Sequence, residues 1–184
     1  MILDFKGASP RIDPTVFVAF NAVIIGDVVL GAGANVWFFS LIRGDVQPIR
    51  IGERCNIQDG CILHVARNGF PLTLEDDVVL GHRVTVHGCH LERGAMIGIG
   101  ATVLNGARVG REAIVGAGAT VTAGTSIPPR TLALGTPAKV VRELSEKDFA
   151  MMKRIRDSYL ELMEIYRDMP LGTGGTRPAG AVLT

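Results

Sequence analysis

Branched aliphatic residues recur at every sixth position through most of this chain. Ile12, Val18, Ile24, Leu30, Val36 and Ile42 form the first run. Four residues after each stands a small or β-branched residue: Val16, Ala22, Val28, Ala34, Ser40 and Val46. The pattern restarts at Ile51, Ile57 and Leu63, with Cys55 and Cys61 at small positions. It restarts again at Leu74, Leu80 and Val86, after the segment from Ala66 to Pro71. After a one-residue slip it runs from Leu91 through Ile97, Val103, Val109, Val115, Val121 and Ile127. A sustained fixed period marks stacked repeats rather than an ordinary succession of helices and strands. Three hexads, about 18 residues, make one triangular coil with the aliphatic residue inward. The pattern therefore predicts an all-β solenoid, a parallel β-helix, over residues 12–137, preceded by a lead-in at 1–11. Gly26, Gly31, Gly52, Gly81, Gly98, Gly110 and Gly116 flank the aliphatics, where the corners are expected to need unusual dihedrals.

Beyond Pro128-Pro129 the period changes. Ser145 followed by Asp148 has the spacing of a helix cap. Phe149, Met152, Ile155 or Arg156, Tyr159, Met163 and Tyr166 then recur at helical spacing. Residues 138–168 are thus expected to form a C-terminal segment and an α-helix packed along one face of the prism. The Gly/Pro-rich stretch 169–184 is expected to be a flexible tail.

Composition agrees with a core of small residues: 47% of the chain is hydrophobic but only 5% aromatic, with 23 glycines. A net charge of +1, from 19 basic and 18 acidic residues, offers no electrostatic footprint for nucleic acid or a membrane surface. The first residues show no signal-peptide pattern, and no apolar run is long enough to span a bilayer, so a cytoplasmic location is expected. Cys55, Cys61 and Cys89 are odd in number and lack a C-x-x-C spacing. They read as core residues rather than a disulfide framework.

Register turns the polar residues into places. With the three faces labelled a, b and c from Ile12, the residues Ile42, Leu63 and Val86 all lie on face c. The residues that follow them, Arg43, His64 and His87, point outward in one column. Adjacent coils lie roughly 4.8 Å apart, so His64 and His87 are close enough to share one ion. His82 instead follows Leu80 by two residues, at the corner leaving face b. Five extended residues separate it from His87, roughly 16 Å. Asp59 holds the same corner phase one coil earlier, with Gln58 beside it. Packing the b edge of one prism against the c face of another would unite the two sets. That contact is heterologous and closes most simply as a trimer. His90, at the one-residue slip, reads as structural, and Trp37, one coil before Gln58, as interface packing.

Taken together, Arg43-Gly44-Asp45, Asn56-Ile57-Gln58-Asp59, His64, and Gly81-His82 with His87-Gly88-Cys89 resemble the γ-class carbonic anhydrases and their close bacterial relatives. The hexapeptide regularity resembles the left-handed β-helices of the same wider family, and the handedness rests on that resemblance. It spans about residues 10–168. It implies a homotrimer with zinc, or alternatively iron or cobalt, at each interface. It implies reversible hydration of carbon dioxide to bicarbonate by a metal-bound hydroxide. His64, His82 and His87 match the ligands, and Arg43, Asp45, Gln58 and Asp59 match the surrounding polar residues. In the family the arginine pairs with an aspartate across the interface, here Arg43 with Asp59. Asn105 and Tyr159 are further pocket residues under the same resemblance.

The chain departs from the well-studied active enzyme of that class, which carries glutamates just after the Arg-Gly-Asp triplet and in an acidic loop after the first histidine. Here Val46 and Gln47 follow the triplet, and Ala66 to Pro71 contains no carboxylate. The expected activity is correspondingly low. Three other functions use overlapping features. A non-catalytic trimer could keep the metal as a staple. A thioesterase or other hydrolase could use the same ion. A hexapeptide acyltransferase would need one essential histidine and no ligand pair.

Overall fold

A computed structural model describes residues 1–67 and 69–169. The expected tail, apart from Met169, lies outside the described residues. The chain winds into a left-handed β-solenoid of about 7 turns of parallel strands, followed by a single helix, α1, at Glu146–Asp168. Ile42, Leu63, Val86, Val103 and Val121 lie in one column of directly paired residues, all fully buried. Each inward aliphatic thus packs on its counterparts in the coils above and below, which is why the period of six survives so regularly.

Face b is an eight-stranded sheet running from Phe17–Val18 to Thr131–Leu134, closed by the antiparallel strand Lys139–Glu143. Faces c and a merge into one twelve-stranded sheet, because Val23–Leu30 and Leu41–Ile51 pass around their common corner unbroken. Every break in the hexad pattern after Leu30 falls at this c-to-a corner: Ile42 to Ile51, Leu63 to Leu74, and Val86 to Leu91. Irregular chain beside a rigid scaffold is where binding groups are usually carried. In this molecule it borders the column of Arg43, His64 and His87.

The corner glycines are a correction to expectation. Of the seven flanking the aliphatics, only Gly26 has positive φ. Gly98 is required by close approach instead: a Cβ there would stand 2.5 Å from the backbone nitrogen of Ala117 in the next coil. Left-handed backbone occurs further into the corners, and non-glycine residues such as Phe39, Arg54 and Arg83 adopt it.

α1 lies along face b, burying Met152 and Met163 against it. Its start is the expected capping arrangement: the Asp148 carboxylate accepts from the Ser145 backbone N–H and hydroxyl, each at 2.7 Å. Arg142 binds the same carboxylate at 2.7 and 3.0 Å and, as the largest influence, holds it well below the usual carboxylate range. Trp37 is covered by this helix, 3% exposed, with ring centroids of Phe17, Tyr159 and Tyr166 at 5.1, 5.3 and 5.2 Å. Its role is therefore packing within the chain rather than at an interface.

The three cysteines are free and buried, and burial pushes each thiol up to about 12. A thiol reagent at pH 8 is expected to find none of them in the folded protein and all 3 after denaturation.

Candidate metal centre

Register delivers His64 and His87 to the same place. They are direct partners in neighbouring parallel strands, with ring centroids 4.9 Å apart and His64 Nδ1 3.0 Å from His87 Nε2. Their outer nitrogens are already engaged. His64 Nε2 lies 3.0 Å from Asp45 Oδ1, and His87 Nδ1 lies 2.5 Å from the amide oxygen of Asn105. A carboxylate and an amide oxygen only accept, so each of these ring nitrogens carries the proton. In the neutral rings, the two nitrogens facing each other then both present lone pairs. Two acceptors 3.0 Å apart repel unless a proton or a metal cation lies between them.

Asp45 is placed by strand geometry, two residues beyond Arg43 and hence on the same side of the strand. Arg43 is ion-paired with it. Burial works to raise the Asp45 carboxyl, but hydrogen bonds from His64 and Arg43 outweigh this, and its pKa falls below the ordinary value. Within one chain Arg43 therefore has Asp45 as its partner. Gln47, standing where the active pattern has an acid, donates to the backbone oxygen of Arg67 at 3.3 Å and ties down the segment after the first histidine.

His82 sits on the b-to-c edge, apart from this pair. Its Nδ1 is 3.0 Å from Asp59 Oδ2 and its Nε2 3.3 Å from the Tyr159 hydroxyl, which reaches it from α1. Asp59 accepts the Nδ1 proton, so Nε2 is the acceptor nitrogen and the Tyr159 hydroxyl donates to it. Burial, with Asp59 nearby, raises the Tyr159 phenol. Around this edge Phe20, Phe39, Ile62 and Ile99 are all exposed, Phe39 at 76%. Gln58 is buried at 5% beside Asp59, with no hydrogen bond to a histidine. One chain thus assembles two groups: Arg43, Asp45, His64, His87 and Asn105, and separately Asp59, His82 and Tyr159. Among the described residues of one chain, no three metal-binding side chains converge. His90 bonds Glu75 at 2.8 Å on face a, away from both groups.

Two residues near these groups were given no role by the sequence. Asn56, two residues before Gln58, is 2% exposed, and neither of its amide atoms has a partner. Its repetition of Asn35 at the same outward phase was the available signal. Phe70 packs over Gly88 and Gly106, which follow His87 and Asn105; nothing in the hexad pattern announces it.

A family description of bacterial transferase hexapeptide, six repeats, matches residues 88–123. The chain is 48% identical over 167 residues to a carbonic anhydrase of Geobacillus kaustophilus, covering 91% of each protein. It is 38% identical to the mitochondrial gamma carbonic anhydrase 2 of Arabidopsis thaliana, over 86% of this chain and 59% of the plant protein. The chain belongs to the γ-class carbonic anhydrase family. A hexapeptide transferase family protein from Anaplasma phagocytophilum superposes with a TM-score of 0.86 at 33% identity, over 90% of this chain and 97% of that one. The γ-class family therefore shares its solenoid with proteins described as transferases, and the fold does not by itself choose between these chemistries. No helix among the described residues is long and apolar enough to cross a membrane.

Proposed function

We propose that this chain forms a homotrimer that interconverts carbon dioxide and bicarbonate as a metal-dependent lyase of low activity. Zinc, or alternatively iron or cobalt, would be held by His64 and His87 of one copy and His82 of the next. The observation that carries this reading is shared by all three histidines. Each has one ring nitrogen facing an oxygen acceptor, Asp45, Asn105 or Asp59, so that the other presents its lone pair, which at His82 the Tyr159 hydroxyl faces at 3.3 Å. Carboxylate and carbonyl partners of this kind orient metal-binding imidazoles and set their tautomer. Two nitrogens each about 2.0–2.1 Å from a tetrahedral zinc lie roughly 3.3 Å apart, close to the spacing found here. The exposed apolar side chains around His82 support self-association at that edge, since such a patch seeks cover.

When bound, the ion supplies a water that ionises near neutral pH, a nucleophile suited to carbon dioxide. Asp45 keeps the His64 Nε2 proton in place and is itself held by Arg43. Asp59 does the same for His82, and on assembly it comes within reach of Arg43 from the neighbouring copy. Gln58, beside Asp59, offers an amide to orient the substrate. Val46, Gln47 and the carboxylate-free segment after His64 supply no acid for rapid proton export, so slow turnover is expected.

The test is to purify the protein anaerobically, count metal per chain and assay carbon dioxide hydration after zinc or iron loading. One ion per chain with slow hydration is the expected result. Protein without metal under both conditions would overturn the site. Metal without hydration would favour the staple or a hydrolase.

A further inference from the structure

Of the three orienting groups, two are carboxylates and one, Asn105, is a neutral amide. A carboxylate presents only acceptors, whichever way it turns. An amide presents an oxygen on one side and two N–H donors on the other. Turned over, Asn105 would donate to His87 Nδ1, forcing the ring proton onto Nε2. That nitrogen, 3.0 Å from His64 Nδ1, would then donate to it. The pair would become a histidine–histidine hydrogen bond, with no convergent lone pairs for an ion. The direction of one amide therefore sets whether the two facing nitrogens both present lone pairs.

The surroundings of Asn105 are built to hold it. Gly88, next to His87, has positive φ, and a Cβ there would stand 2.8 Å from Asn105 Oδ1 and 2.7 Å from Phe70 Cβ. The oxygen and the phenylalanine thus lie side by side over the bare Cα of Gly88. A Cβ on Gly106 would stand 2.9 Å from Phe70 Cε1, so the ring extends from the residue after His87 to the residue after Asn105. Backbone bonds lock the coils beneath: Gly88 N–H to His64 oxygen at 3.0 Å, Gly106 N–H to Gly88 oxygen at 2.7 Å, and Gly124 N–H to Asn105 oxygen at 2.9 Å. Phe70 is delivered by the chain that leaves the solenoid after His64 and returns through the bridge between Ala66 and Phe70.

We propose that Asn105 is a positioning residue for His87, clamped oxygen-inward by Phe70 over Gly88 so that His87 Nε2 stays free for the metal. The chain after His64, which has no acid to carry protons, here serves to hold a ligand's partner. This rests on the metal reading above, and its test separates the two.

Zinc affinity would be measured by chelator competition on the full-length trimer for wild type, Asn105→Leu, Asn105→Asp and Phe70→Ala. Proton NMR of the zinc-loaded proteins would follow the His87 Nδ1–H resonance. Asn105→Leu is expected to lose 10–100-fold in affinity, the cost typical of removing a ligand's outer partner. Its Nδ1–H signal should be lost to exchange with water. Asn105→Asp, which can only accept, should stay close to wild type and keep the signal. Phe70→Ala should weaken binding in the same direction but less. Wild type binding zinc while Asn105→Leu binds it equally well, signal intact, would overturn the proposal. An Asn105→Asp variant as weak as Asn105→Leu would also overturn it, since packing rather than hydrogen bonding would then be the cause. Wild type failing to bind any metal would instead sink the reading on which it rests.

Discussion

Subunits carrying His64→Ala and subunits carrying His82→Ala are each expected to be metal-poor alone and to regain metal when reassembled together. In each pure variant every site lacks one of three ligands, and the loss should exceed the 100-fold upper figure for an outer partner. In a mixture the outcome depends on where the ligands come from. If a site draws His64 and His87 from one copy and His82 from the next, a His82→Ala chain followed by a His64→Ala chain rebuilds it intact. Random reassembly of equal amounts into cyclic trimers produces that order at about one site in four. If all three histidines served one chain's own site, no mixture could restore any. The measurement is metal per chain after denaturation, mixing and refolding, with native mass spectrometry to show that hybrid trimers are present. Hybrids with no recovered metal would falsify the interfacial site. The geometry favours recovery, because His64 and His87 face each other across one coil spacing whereas His82 is held at another edge by Asp59 and Tyr159.

Leu91→Ala is expected to be the most damaging change made outside the candidate metal ligands and their partners. Leu91 is fully buried on face a and stacks directly between Leu74 and Val109. Truncation removes its transfer free energy and leaves a cavity that parallel coils cannot collapse around, since both neighbours are fixed by backbone pairing. The cost should be about 2–5 kcal/mol, against less than about 0.5 kcal/mol for an ordinary surface change. For a chain of this size that corresponds to a Tm lower by roughly 4–20 °C. Thermal unfolding at a fixed protein concentration and fixed metal load checks it, because assembly and metal both add apparent stability. Metal content of the folded variant should match wild type. A Tm within a degree of wild type would mean that the solenoid interior repacks far more freely than its stacked columns suggest.

The solenoid was legible because its signal is local and repeated. An inward aliphatic at every sixth residue can be counted, and a register once counted places Arg43, His64 and His87 in a column without further information. The pairing of His64 with His87 followed from that count, and so did the separation of His82. The departures lie where contact depends on residues outside the period. Trp37 has the right phase for an exposed face, but α1 covers that face, and only the path of the helix across the first coils decides that. The glycines beside the aliphatics were visible, yet their reason was not. Dihedral freedom and close approach leave the same residue in the sequence, and the distance to the next coil distinguishes them.

The sequence by itself determined the architecture, the spacing of the two facing histidines and the separation of the third from them. These follow from a period and a rise per coil, which are properties of the backbone. Only the tertiary structure decided which nitrogen of each ring faces an oxygen acceptor. That choice depends on Asp45, Asn105 and Asp59 reaching specific ring atoms. For Asn105 it also depends on Phe70 lying over Gly88, a contact made by chain that leaves the repeat and returns. Side-chain direction at a few tenths of an ångström is set by packing between distant segments, and no periodicity encodes it.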